Sequence, residues 1–299
     1  MRTPIVLASI GLLASAADLR RSDASGRAVD CAAGTQTADP SFLQTIQQLH
    51  DDQVKGSLAA RAAKLTARDD PIKIQAVFHV VMTDAAKNSI TNAMPQAQLD
   101  SMNASFNPYN IQFELQNITW TTNDAWAVGE DKDDGPMKKA LRQGTYQTLN
   151  IYFQTDYGSL GTCTLPSELG PNGKDPNTYF NDGCSVNANT MPDGLMYGFN
   201  KGKTAVHETG HWLGLLHTFQ DEKCDGPGDY IEDTPVESIP TNGCPTDPKK
   251  QSCPDQQKPG EYDPIHNYMD YSTDDCYEGF TDMQVQRMRT MWSMFRNGN

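Results

Sequence analysis

Apolar positions change their spacing several times along the chain, and each change marks a boundary. Ile5 to Leu13 form an apolar run behind Arg2, and Ser15-Ala16-Ala17 supply the small residues of a cleavage site. That order is the pattern of a secretory signal peptide over residues 1–17, and the run is too short to span a bilayer. Residues 18–70 hold few large apolar side chains among many Ala, Arg, Asp, Ser and Gln. They predict a pro-segment or N-terminal arm, with a helix around Phe42 to Leu58 too sparse in apolar positions to form a core. Arg61 and Arg68 are candidate processing points within it.

From Pro71 the texture is that of a folded domain. Lys73 to Val81 is a β-branched run that predicts a strand, followed by a helix near Pro95 to Phe106. Gln112 to Thr121 and Thr148 to Thr155 predict two more strands, with a short helix over Pro136 to Gln143 between them. Strands alternating with helices indicate an α/β or α+β layer, a twisted sheet packed on helices. After residue 217 the periodicity fades, and the stretch from Thr218 to Cys276 contains 8 of the 18 prolines and four of the seven cysteines. A loop this long is functional or disordered, and its cysteines favour an ordered, stapled one. The pattern returns at Phe280 to Phe295. There Thr281 and Gln284 form a capping box and Met283, Met288, Met291 and Phe295 mark the core face of a final helix. A folded domain is therefore expected over 71–299.

Charge narrows the function. The 299 residues carry 24 Lys+Arg against 38 Asp+Glu, a net charge of −14. Such acidity opposes nucleic-acid binding, which needs clustered Lys and Arg on the phosphates, and a polybasic membrane anchor. The segment from Thr218 to Cys276 alone holds 14 Asp+Glu against 4 Lys. Six of the seven cysteines lie beyond residue 160. In an exported chain this reads as three disulfides, for which the sequence leaves about 15 connectivities. Cys31 is left over. Asn103 and Asn117 open sequons for N-glycosylation in a eukaryotic secretory route.

One stretch carries chemistry: His207-Glu-Thr-Gly-His-Trp-Leu-Gly-Leu-Leu-His217. Spaced four apart, His207 and His211 project from one face of a helix and can share a metal. Glu208 follows the first ligand and reaches the metal's water without ligating the ion. Gly214 permits a positive φ that ends the helix and swings His217 back as the third nitrogen ligand. Three neutral imidazoles with a fourth position open point to catalytic Zn²⁺. His79, inside a predicted strand, is read as packed.

The spacing H-E-x-x-H-x-x-G-x-x-H is the zinc signature of the metzincins, whose second mark is a downstream Met-turn, here Asn267-Tyr-Met-Asp-Tyr271. With Gly228 to Pro235, Asp263 to Tyr271 and Phe280 to Gln284, the chain resembles the pappalysin family of metzincins, particularly its small secreted fungal and microbial members. The resemblance implies a metalloprotease catalytic domain over 71–299, with a cleft between an upper subdomain, 71–217, ending at the zinc helix and a loop-rich lower one, 218–299. It places Met269 beneath the zinc as an apolar floor and Tyr271 near the metal. It also implies the pairs Cys163–Cys184, Cys224–Cys253 and Cys244–Cys276. Family members bind structural calcium in the acidic loop, where Asp225, Asp229, Glu232, Asp233 and Thr234 offer oxygen ligands. A solvated acidic face is the alternative there. Cys31 is either a latency switch filling the zinc's fourth position, or a free or intermolecular thiol.

The expected protein is a secreted, monomeric zinc endopeptidase acting on proteins or peptides, with Glu208 as general base and acid. The alternative of another class is a secreted zinc-binding or adhesion module without turnover. The sequence does not single out a specificity residue.

Overall fold

The computed structural model describes residue 38 and residues 40–54, 70–169 and 176–298. The signal peptide, Cys31 and the stretch with Arg61 and Arg68 lie outside the described residues.

Strand β1 (Ile72–Met82) is buried without a break from Ala76 onward, as a continuous β-branched run requires when both faces of a sheet are covered. Beside it lie β2 (Ile111–Thr122) and β3 (Leu149–Gln154), both parallel to it. Two short strands, β4 (Gly161–Cys163) and β5 (Cys184–Asn187), complete the order β2-β1-β3-β5-β4, with β4 the antiparallel edge. Parallel neighbours need crossovers. Helix α2 (Met94–Phe106) supplies one, burying Met94, Met102 and Phe106 on the main core. On the opposite face, α3 (Asp124–Val128) and α4 (Asp131–Leu141) bury Ala127 and Met137 against Val81 and Tyr152. Helix α5 (Pro176–Asn181) precedes β5.

Helix α4 starts five residues before the expected Pro136, which lies inside it. Asp131, Asp133 and Asp134 in its first turn are the N-terminal signal, since carboxylates favour the positive end of the helix dipole. The strands β4 and β5, only three and four residues long, are too short to show a period. His79 is packed as expected: Nδ1 lies 2.7 Å from Thr119 Oγ1, Nε2 2.9 Å from Asn150 Oδ1, and burial pulls its pKa down to about 4.

Below the sheet, residues 213–280 form mostly turns and loops, stapled by Cys224–Cys253 and Cys244–Cys276, while Cys163–Cys184 ties β4 to β5. These are the pairs the resemblance implied. The zinc motif lies on α6 (Lys203–Trp212) and the chain closes on α7 (Asp282–Met291), whose capping box joins Thr281 and Gln284. A π-helical turn from Trp292 to Arg296 follows.

Arg296 returns the C-terminus to the core. Its Nη2 sits 3.0 Å from Asp182 Oδ1, its guanidinium stacks 3.6 Å over the Trp212 ring, and Arg142 and Trp212 Nε1 also bond the Asp182 carboxylate. Burial opposes ionisation of Asp182, but Arg296 and Arg142 outweigh it and hold the carboxyl below its ordinary value.

Helix α1 (Pro40–Val54) overlaps the expected helix, starting two residues before Phe42, but it contributes to a core where the sequence suggested none. Phe42 and Ile46 are fully buried against Leu216, Met291 and Phe295, residues from the far end of the chain that no local pattern pairs with them. Of the two sequons, Asn117 is exposed. Asn103 is half-buried and its amide donates to Phe113 O (3.0 Å), while the Asn117 amide donates to the side chain of Gln143 (3.1 Å).

Candidate active site

The whole of α6 from Thr204 is buried, so its histidines point into protein. The Nε2 atoms converge: His211 Nε2 is 3.1 Å from both His207 Nε2 and His217 Nε2. His207 Nδ1 donates to Tyr268 O (2.7 Å) and His211 Nδ1 to Leu215 O (2.8 Å). Carbonyls only accept, so each of these rings carries its proton on Nδ1 and turns a lone pair toward the other. Facing lone pairs at that distance repel until a cation sits at their focus. Tetrahedral Zn–N bonds of 2.0–2.1 Å put ligand nitrogens ~3.3 Å apart, so the site fits zinc. Burial lowers the pKa of His207 to about 4 and those of His211 and His217 well below the ordinary value, which keeps all three neutral, as ligation requires.

Two glycines make this geometry feasible. At Gly214 (φ +89°) the chain leaves the helix, and a Cβ there would lie 2.4 Å from Met291 Cγ. Gly210, inside α6, costs about 1 kcal/mol of helix propensity. Its reason is Met269, whose Sδ would meet a Cβ at 2.4 Å. Met269 is fully buried against this face, as expected for the Met-turn. Thr218 N donates to Met269 O (3.2 Å), joining the residue after the third ligand to the turn. Tyr271 OH lies 3.2 Å from His217 Nε2, and the His217 ring stacks on Phe219.

Glu208 is fully buried one residue after His207. Edge strand β4 passes beside it so closely that a Cβ on Gly161 would be 2.4 Å from Glu208 Oε1. His207, Glu208 and Tyr271 share one pocket with Leu160, Phe199, Thr204, Asp274 and Tyr277. Sequence reasoning missed Asp274, because nothing distinguishes it among the acidic residues of the lower loop. Its Oδ2 accepts from Lys201 N (2.7 Å) and Lys203 N (3.3 Å), while Oδ1 meets no hydrogen-bond donor among the described residues. Burial pushes its pKa up to about 6, so it is mainly ionised at neutral pH.

A buried ionic cluster braces the lower wall. Lys250 Nζ bridges Glu237 and Asp263 (2.8 Å to Asp263 Oδ2). Glu237 Oε2 accepts from Thr218 Oγ1 (2.6 Å), and Asp270 Oδ1 accepts from Tyr271 N (2.7 Å) and Thr241 N (2.9 Å). Burial raises the Glu237 pKa to about 8. The residues following His217 and preceding Tyr271 are thus tied into one polar network.

The acidic-loop residues are less gathered. Asp229 and Thr234 line one cavity with Gly226, Gly228 and Glu232, and burial raises the Asp229 pKa to about 7. Asp225 is exposed, and both Asp233 oxygens are engaged at the start of α7, by Thr281 Oγ1 (2.7 Å) and Met283 N (2.9 Å). Cys244 and Cys276 lie near His266 but are joined to each other, which removes them as metal ligands.

Two histidines on a helix that ends at a glycine, a third just beyond it, and a methionine turn packed beneath define a metzincin zinc metalloendopeptidase. The family model described as pregnancy-associated plasma protein-A, peptidase M43, matches residues 142–293, and the chain belongs to that family, the pappalysins. It is 40% identical to an extracellular metalloprotease of Aspergillus fumigatus over 98% of this chain and 97% of that one. It is 44% identical to an extracellular metalloprotease of Pyricularia oryzae over 80% of this chain and 82% of the other. Among solved structures, Tannerella forsythia promirolysin superposes with a TM-score of 0.68 at 26% identity, covering 89% of this chain and 94% of that one. Mature mirolysin in complex with a cleaved peptide gives 0.63 at 29% identity, over 75% and 92%. The protein is a secreted zinc metalloendopeptidase. Among the described residues no helix is long and apolar enough to cross a membrane.

Proposed function

We propose that this enzyme cleaves peptide bonds with Glu208 as general base and acid, and that it favours a basic side chain beside the scissile bond. The supporting observation is one pocket that holds His207, Glu208, Tyr271 and Asp274 together. His207, His211 and His217 would hold zinc, which when bound makes a water available as hydroxide near neutral pH and polarises the substrate carbonyl. Glu208 takes a proton from the attacking water and delivers it to the leaving amine. The Tyr271 hydroxyl donates to the oxyanion that develops on the carbonyl. Casein hydrolysis that a chelator abolishes and added zinc restores is the expected result. Hydrolysis that survives removal of the metal would refute the assignment, and absence of any hydrolysis would favour a binding module.

The Asp274 pocket supplies the preference. Its Oδ1, buried and without a donor among the described residues, would accept from a lysine or arginine of the substrate that enters the pocket, a charge-assisted bond worth about 1.5–3 kcal/mol. Asp274→Asn should therefore lower kcat/KM about 10–100-fold on peptides with Arg or Lys beside the cleaved bond, with little change on apolar ones. Kinetics on a peptide series varied at that position checks this, and an unaltered preference would remove Asp274 from the reading.

Calcium remains a proposal centred on Asp229 and Thr234, with backbone carbonyls of the same loop as further oxygens. The segment 18–70 is proposed as a pro-segment or arm, with Asn117 as the better-placed glycan acceptor.

A further inference from the structure

The loop between β5 and α6 is built to hold two apolar side chains out of the protein. Leu195 is 74% exposed and Tyr197 95%, the highest values among the exposed large apolar residues described. Isolated surface apolar residues need no explanation, but this loop is not loose. Gly194 N donates to Met191 O (2.9 Å), Met196 N to Asn189 O (3.1 Å) and Phe199 N to Met196 O (2.9 Å). Asn200 Nδ2 donates to Gly194 O (2.8 Å). Asp193 sits at φ +68°, and a Cβ on Gly194 would lie 2.1 Å from Asn189 O. Strain at a non-glycine residue is tolerated where the surroundings over-determine it. Here the result is a rigid loop that displays Leu195 and Tyr197 while seating Phe199 in the pocket wall.

The display adjoins the catalytic pocket. Asp274 N donates to Gly198 O (2.9 Å), so Tyr197 is one residue from a direct contact with the pocket-lining acid. Leu195 and Tyr197 thus belong to the same short segment as Gly198 and Phe199, which meet the pocket. A rigid tyrosine gives large contact area at little conformational cost.

We propose that Leu195 and Tyr197 form an apolar docking surface for substrate, accepting an apolar side chain within two positions of the residue that fills the Asp274 pocket. This rests on the proposed reading of that pocket. Substrates should thus pair a basic residue beside the scissile bond with a nearby leucine or aromatic residue.

The test uses secreted enzyme and peptides with a fixed Arg in the pocket position and Leu, Phe or Ser at each of the two positions on either side. Wild-type enzyme should show a kcat/KM for Leu or Phe about 10-fold above Ser at one position. In Leu195→Ser/Tyr197→Ser that ratio should fall to near one. In Ile239→Ser/Met294→Ser, which removes exposed apolar groups elsewhere, it should persist. A wild-type ratio near one, or a ratio retained in the loop variant, overturns the proposal. So does a loop variant that only converts a dimer to a monomer in sedimentation, which would assign the surface to a second copy of the chain. Failure of the pocket reading would look different, because wild-type enzyme would then show no preference for Arg itself.

Discussion

Replacing Glu208 by Gln should give a protein that folds, holds zinc through three untouched histidines, and cleaves peptides about 10²–10⁴-fold more slowly. The amide matches the carboxylate in shape, which matters because Gly161 leaves no room for a larger group beside Oε1. It cannot take a proton from water or return one to an amine. Metal analysis, thermal melting and turnover measured on the same preparation separate the outcomes. Full metal content, an unchanged melting point and collapsed kcat are expected. Near-normal turnover in Glu208→Gln would place the base elsewhere and remove the mechanism proposed above.

Asp182→Ala should be the most damaging substitution outside the site. The carboxylate is 2% exposed and bonds two guanidinium groups and an indole. Removing it leaves Arg142 and Arg296 buried without their counter-charge, which costs about 3–5 kcal/mol for a broken buried pair. For a domain of this size that corresponds to a fall in Tm of roughly 10 °C. Trp212 closes α6, and Arg296 Nε bonds its carbonyl at 3.0 Å. The loss should therefore loosen the end of the zinc helix and speed zinc release to a competing chelator. A change below about 1 kcal/mol would show that the surrounding rings, not the ion pairs, hold the C-terminal turn.

The three-histidine cluster was legible because the signal is local: a four-residue spacing on one helix, a glycine, and a third histidine within eleven residues. The strand β1 and the capping box of α7 were legible for the same reason. What escaped the sequence depends on contacts across the chain. Asp274 becomes a pocket residue only when the lower loops fold beneath Phe199. Gly210 looks like a weak helix residue until Met269, 59 positions later, arrives against it. Phe42 and Ile46 are two apolar residues in a polar arm until Leu216 and Phe295 bury them. The Asp182 cluster was invisible for the same reason, since its members come from residues 142, 182, 212 and 296.

That last arrangement bears on synthesis. Met269 packs on Gly210 of α6, Met291 and Phe295 pack on the Gly214 to Leu216 turn that leads to His217, and a helix near the start of the chain closes the far side of Leu216. A nascent chain that has already produced His207, His211 and His217 still lacks what fixes the third imidazole. The site is therefore a product of the whole folded domain, and not of the eleven-residue motif by itself.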